Sequence, residues 1–159
     1  MTHWQQRKAI GDAHEQRVAA ALEARGWTVQ RCGQGTYHPA IQQALARTTS
    51  ALRWFPDLIA ARADEVITID AKDRMPSTTS NRYSLSNAAI QAGLLFTGIH
   101  APTPLYYVLG DLKVLTPAEV LHYTAHARRA HSGAYHFVST RHAHHFDEVF
   151  GSTQTRAAS

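Results

Sequence analysis

The chain has 159 residues, 44% hydrophobic and 18% charged, an ordinary composition for a globular protein and enough residues for one domain with a core that needs no staples. No run approaches the roughly 20 apolar residues of a membrane span, the opening Met-Thr-His-Trp-Gln-Gln has no signal-peptide character, and the single Cys32 excludes an internal disulfide, so a cytoplasmic protein is expected. A net charge of +4 and an isoelectric point near 9.5 suit a polyanionic partner without naming one.

The first element is a helix from about Gln6 to Arg25. Ile10, Val18, Ala21 and Leu22 recur at helical spacing, and Gly26 stops it. Glu15 stands three residues before Val18 and seven before Leu22, beside the apolar stripe. It is either a flank residue pairing with Arg7 or Lys8, or an acid aimed at whatever the helix packs on. Trp27 to Cys32 reads as the first strand, with Cys32 a small core residue rather than a nucleophile. Gly33-Gln34-Gly35 leaves that strand. His38-Pro39 then starts a helix through about Arg47, an insertion before the next strands.

Next come Pro56-Asp57, twelve intervening residues, and Asp70-Ala71-Lys72. Leu58-Ile59-Ala60-Ala61 and Val66-Ile67-Thr68-Ile69 form the arms of a predicted β-hairpin turning at Ala63-Asp64. In symmetric register paired residues sum to 127, which sets Asp57 opposite Asp70. Cross-strand neighbours lie about 4.5–5.5 Å apart at Cβ, where two like charges destabilise the sheet. A divalent cation such as Mg²⁺ between them turns that repulsion into binding, because hard cations prefer carboxylate oxygens. Lys72, two residues past Asp70, falls on the same face by the strand period of two.

Pro56-Asp57…Asp70-Ala71-Lys72 resembles the signature of the PD-(D/E)XK nuclease superfamily, the fold of many restriction enzymes, Holliday junction resolvases and repair nucleases. The likeness spans roughly residues 7–125 as a succession of elements. It implies an α/β domain with a restriction endonuclease-like core: a mixed sheet of four or five strands flanked by helices. It also implies a metal-dependent DNA endonuclease, in which Asp57, Asp70 and the backbone carbonyl of Ala71 bind Mg²⁺, or Mn²⁺ in its place. Lys72 would act on the attacking water and the phosphate. Many members carry a glutamate on the first helix, and Gly11-Asp-Ala-His-Glu15 resembles that position, so Glu15 would complete the metal shell. The products implied are a 5′-phosphate and a 3′-hydroxyl. A bare domain of this size resembles structure-specific enzymes such as junction resolvases, acting on DNA as a homodimer. The alternative is a DNA-binding accessory protein on the same fold without catalysis.

The stretch from Asp73 to Ser86 reads as a polar loop whose Arg74, Asn81 and Arg82 are candidates for touching phosphates. A helix follows from Ser86 to Phe96, and its Gln91 is a weaker candidate. Leu105 to Leu109 is a strand, Gly110-Asp111 a turn, with Asp111 a turn residue rather than a ligand, and Lys113 to Leu115 a short returning strand. Thr116-Pro117-Ala118-Glu119 has the form of a capping box and starts a helix towards Arg129. Ala134 to Val138 is a strand, and Ser139 or Thr140 caps a helix through Phe150. His122 with His126, and His142 with His144 and His145, have zinc-like spacings. With no second cysteine and no His-Glu-x-x-His string, they read better as exposed histidines. One domain over 1–150 and a flexible tail over 151–159 complete the expectation.

Overall fold

The computed structural model describes residues 1–124, 127–130 and 133–153. Helix α1 (His3–Glu23) opens with a reciprocal cap: Thr2 Oγ1 accepts from the Gln5 amide at 3.2 Å, and Gln5 Oε1 accepts from the Thr2 amide at 2.7 Å. It ends just before Gly26, whose φ of 85° gives the left-handed turn into β1 (Thr28–Arg31). Then follow α2 (Pro39–Ala46), β2 (Leu58–Arg62) and β3 (Glu65–Ala71). The remaining elements are β4 (Arg82–Ser86), α3 (Asn87–Ile99), β5 (Leu105–Val108), β6 (Val114–Leu115), α4 (Pro117–Tyr123), β7 (Ala127–Ala130), β8 (Gly133–Ser139) and α5 (Phe146–Phe150).

The fold is α/β, built on a five-stranded mixed sheet in the order β1-β2-β3-β5-β6. Only β3 and β5 run parallel within it, so the chain leaves β3, passes through β4 and α3, and returns alongside. The β2–β3 hairpin has the register read from the sequence. Leu58 pairs with Ile69 and Ala60 with Ile67, and the turn is made with Ala63 at φ 52°.

Alternation along these strands makes two cores. Leu58, Ala60, Ile67, Ile69 and Val108 pack with Val18 and Leu22 of α1 and with Phe146 and Phe150 of α5. On the other face, Leu105, Tyr107 and Leu115 pack with Ile90 of α3, Val120 of α4 and Tyr83, Leu85 and Val138 of the second sheet. Each fully buried Leu, Ile or Phe contributes about 1.5–3 kcal/mol, so the two faces together hold the central sheet rigid.

Three stretches differ from the sequence expectation. The loop expected over Asp73–Ser86 ends in strand β4, whose Tyr83 and Leu85 are buried while Arg82 is exposed. Its period-two pattern was diluted by the serines around it. The helix expected to run towards Arg129 stops at Tyr123, where Thr124 takes an extended backbone (φ −119°, ψ 104°) and its Oγ1 meets His136 Nδ1 at 2.7 Å. The chain then enters β7, and β4, β8 and β7 form a second, antiparallel three-stranded sheet. Third, the helix expected to follow Ser139 is a 3-10 turn at Thr140–His142, with the α-helix delayed to Phe146. His126 and residues 154–159 lie outside the described residues. Among the described residues, no helix is long and apolar enough to cross a membrane.

Candidate active site

The paired register ends at Leu58 and Ile69, both fully buried in the α1-side core, and the residues next outward on the two arms are Asp57 and Asp70. Asp57 sits at the entry to β2 and is locked there by its own backbone. Its carbonyl accepts from the Cys32 amide at 2.9 Å and the Gly33 amide at 3.3 Å, and its Oδ2 accepts from the Ala71 amide at 2.8 Å. Gly33 is required by this closeness. A Cβ there would lie 2.9 Å from Asp57 Cα and 3.0 Å from its Oδ1.

Asp70 Oδ2 lies 3.0 Å from Lys72 Nζ, and both side chains are about one-fifth exposed. The Lys72 ammonium also stands 5.5 Å from the centre of the Tyr107 ring, while its amide donates to the Val108 carbonyl at 2.8 Å. That backbone bond extends the β3–β5 pairing by one residue and fixes where the lysine emerges. Glu15, half-buried on α1, pairs with Arg31 Nε at 3.4 Å rather than with Arg7 or Lys8. Lys8 instead pairs with Asp12.

The electrostatics are those of acids held close without enough cation. Burial, then the charges of Asp70 and Glu15, push the Asp57 carboxyl up to about 8, against smaller lowering by the Ala71 amide and Lys72. Glu15 is raised by burial, and partly relieved by Arg31. Cys32 is pushed up to about 11 by burial and by Asp57 and Glu15, which keeps it a neutral thiol donating to the Pro56 carbonyl at 3.2 Å.

The donor set is two carboxylates and neighbouring backbone oxygen on one rigid hairpin, suited to a hard divalent cation. No group of three or more His, Cys, Asp or Glu side chains gathers for metal binding among the described residues. Any ion at the hairpin would therefore rest on the pair Asp57 and Asp70 with a main-chain carbonyl such as that of Ala71. Burial and the neighbouring acids make Asp57 a weaker acid than usual, so a positive charge beside it would favour its ionised form.

Other sequence candidates are more dispersed. Arg74 is exposed directly after the hairpin, its carbonyl accepting from the Gly110 amide at 2.9 Å. Asn81, at φ 51°, makes the turn into β4, and Arg82 is exposed at the start of that strand. Gln91 does not join the acids. It lies on an apolar groove between α3 and the Ala51–Trp54 turn, near Leu95 and Ile99. Asp111 accepts from the Tyr83 hydroxyl at 2.6 Å and the Lys113 amide at 3.2 Å, a turn residue as expected. Among the histidines, His144 meets Glu119 at 2.8 Å, His145 meets Lys113 at 2.9 Å, and His142 stacks on Tyr123.

One positioning residue was not legible beforehand. His14 is buried beside Glu15, with Nε2 3.0 Å from the Val108 carbonyl and Nδ1 2.9 Å from Arg17, which also reaches the Gly110 carbonyl. It fastens α1 to the end of β5 and so sets Glu15 over the hairpin. Its polar identity on the stripe Val18 and Leu22 share was the available signal.

A cleft of about 630 Å³ opens over Asp57, Glu15, Ala71 and Asp73 and runs along the first turns of α1. Comparison with known proteins agrees with this fold. No family model matches the chain, and no curated protein matches it in sequence. Among solved structures, the Holliday junction resolvase Hjc of the archaeal hyperthermophile Archaeoglobus fulgidus superposes with a TM-score of 0.53 at 14% identity, over 91% of this chain and 98% of that one. A nuclease from a fusellovirus superposes with a TM-score of 0.52 at 11% identity, over 94% of this chain and 91% of that one. The chain thus has the restriction endonuclease-like fold that the PD-(D/E)XK resemblance implied.

Proposed function

We propose that the protein is a metal-dependent endonuclease that hydrolyses DNA phosphodiester bonds at the β2–β3 hairpin, with a branched or junction DNA as its substrate class. The observation that carries the reading is the pair Asp57 and Asp70 across one hairpin, with Lys72 3.0 Å from Asp70. A fold needing only a hairpin gains nothing from two facing carboxylates, one of them raised to about 8 by its surroundings. The resolvase and the viral nuclease that share the fold support the same reading.

Asp57, Asp70 and the Ala71 carbonyl would hold Mg²⁺ or Mn²⁺, with Glu15 at the edge of the shell. Such an ion, when bound, lowers the pKa of its water and offsets charge on the phosphate. The Ala71 amide orients Asp57, and the Cys32 and Gly33 amides hold the backbone of Asp57 in place. Lys72 brings a compact cation to the place where a phosphate oxygen would gain charge, and Asp70 and the Tyr107 ring hold it there. A homodimer would supply two such sites for the two strands of a duplex or junction.

The test is a panel of duplex, single-stranded, flap and four-way-junction DNA incubated with the protein in Mg²⁺ and in EDTA. Cleavage that needs the metal and disappears in Asp70→Asn is expected. Cleavage undiminished in that variant would remove the hairpin from the chemistry.

A further inference from the structure

The cleft over the acids does not end with them. Along its far wall stand Trp4 and Arg7 of α1, and across from them Gln34 and Gln42. Trp4, Gln34 and Gln42 also line a second hollow of about 500 Å³ that continues to Pro39, Gln43 and Ala46. The two hollows are neighbours that share Trp4, Gln34 and Gln42, so the surface leading away from Asp57 passes the indole of Trp4.

Trp4 is 66% exposed, although Trp27 of the same chain is 3% exposed and packed edge-on to Phe150. An indole left in water has lost the burial that usually fixes such a ring. Arg7, one turn along the same helix, forms no ion pair among the described residues, and Lys8 has a solvent-exposed partner in Asp12, a contact of small worth. Opposite them, Gln34 and Gln42 each give one amide N–H to a backbone carbonyl, of Arg53 and Tyr37, at 2.8 Å. Their amide groups are thereby held still in the groove wall.

An exposed flat ring flanked by cations, at the open end of a groove whose other end carries acids, has the chemistry of a single-strand track. A base stacks on the ring, the cation meets its phosphate, and the strand continues along α1 towards the acids. A continuous duplex keeps its bases stacked inside and cannot offer one to Trp4.

We propose that Trp4 is a stacking platform for an unpaired nucleotide of DNA on the strand that leads to the phosphate to be cut, with Arg7 on that nucleotide's phosphate. This rests on the endonuclease reading and narrows its substrate to DNA with an unpaired arm or branch.

Binding is measured in EDTA, where no cleavage occurs, by fluorescence anisotropy on two DNAs of equal length, a continuous duplex and a duplex with splayed single-stranded arms. Trp4→Ala is expected to weaken splayed-arm binding roughly five- to a hundredfold, to leave duplex binding within about twofold, and to be restored largely by Trp4→Phe. A 2-aminopurine in the arm should be quenched by wild type and not by Trp4→Ala. Thermal melting of the variant confirms folding, since an exposed ring carries little of the core. Equal weakening on both DNAs, or no weakening on either, overturns the platform. Failure of Asp70→Asn to stop cleavage overturns the endonuclease reading instead, so the two failures are distinguishable.

Discussion

Two buried polar clusters sit on this fold, and they are finished differently. Behind the second sheet, His136 is 5% exposed and has both ring nitrogens engaged, Nδ1 with Thr124 at 2.7 Å and Nε2 with Asn87 Oδ1 at 2.9 Å. On strand β4 of the same sheet, the Tyr83 hydroxyl donates to Asp111 at 2.6 Å. At the end of the β2–β3 hairpin, Asp57, Asp70 and Glu15 crowd together with Lys72 and Arg31 as partial relief. The first cluster closes on itself and stabilises the fold. The second leaves negative charge without a full complement, a cost that the proposed function assigns to receiving a cation and a phosphate.

The largest expected effect separates the clusters by activity. Asp57→Asn, Asp70→Asn and Lys72→Ala should each lower metal-dependent cleavage by at least about 10²–10³-fold, while DNA binding persists or tightens as repulsion of phosphate falls. Gel assays of cleavage and of binding on one junction substrate check both halves. Tyr83→Phe and His136→Ala should do the reverse. Each should destabilise by about 1–3 kcal/mol by removing hydrogen bonds from its partners, and leave any cleavage rate of the folded protein close to wild type.

The same contrast extends to pH. Burial lowers the pKa of His136 below 6.5, so the unfolded chain binds its proton first as pH falls. The stability it contributes is complete above 6.5 and is lost as pH falls through the lower folded value. Asp57 runs the other way. Its folded value near 8 stands above the ordinary 3.8, so metal-free stability is greatest below 3.8 on its account and declines as pH rises through 8. Asp57→Asn keeps an oxygen for the Ala71 amide but removes the charge. In EDTA at pH 8 it should melt higher than wild type, on the order of 5 °C, and at pH 5 the gap should shrink. A variant that melts lower at pH 8 would show that the hairpin acids are satisfied after all.

Smaller effects should sharpen the boundary of the site. Gly33→Ala sets a methyl 2.9 Å from Asp57 Cα, and should cut the rate several-fold through displacement of that residue. Glu15→Gln should weaken metal affinity modestly, with the rate partly restored by raising Mn²⁺, because Arg31 shares its charge. Wild-type cutting by Glu15→Gln at limiting metal would make Glu15 a surface partner of Arg31.

The hairpin was legible because strand alternation is a strict code. Leu58 pairs with Ile69 as the sum of 127 requires, which leaves Asp57 and Asp70 as the next residues outward. The first helix was legible by spacing, and Thr116 to Glu119 by its cap, which forms with Glu119 accepting from the Thr116 amide at 2.9 Å. The second sheet was not. Its strand β4 hides two buried residues among serines, and Thr124, at the end of α4, bonds the distant His136. Long-range hydrogen bonds of that kind leave no local pattern. The same holds for His14, whose partner Val108 lies far along the chain, and for Gly33, whose need for a bare Cα arises only once Asp57 lies against it.

The most direct measurement is calorimetric titration of Mn²⁺ into wild type, Asp57→Asn, Asp70→Asn and Tyr83→Phe, with melting curves as folding controls. Saturable binding by wild type and Tyr83→Phe, lost or at least tenfold weaker in both aspartate variants, is the expected result. Equal Mn²⁺ affinity in all four proteins would contradict the placement of the metal at the hairpin.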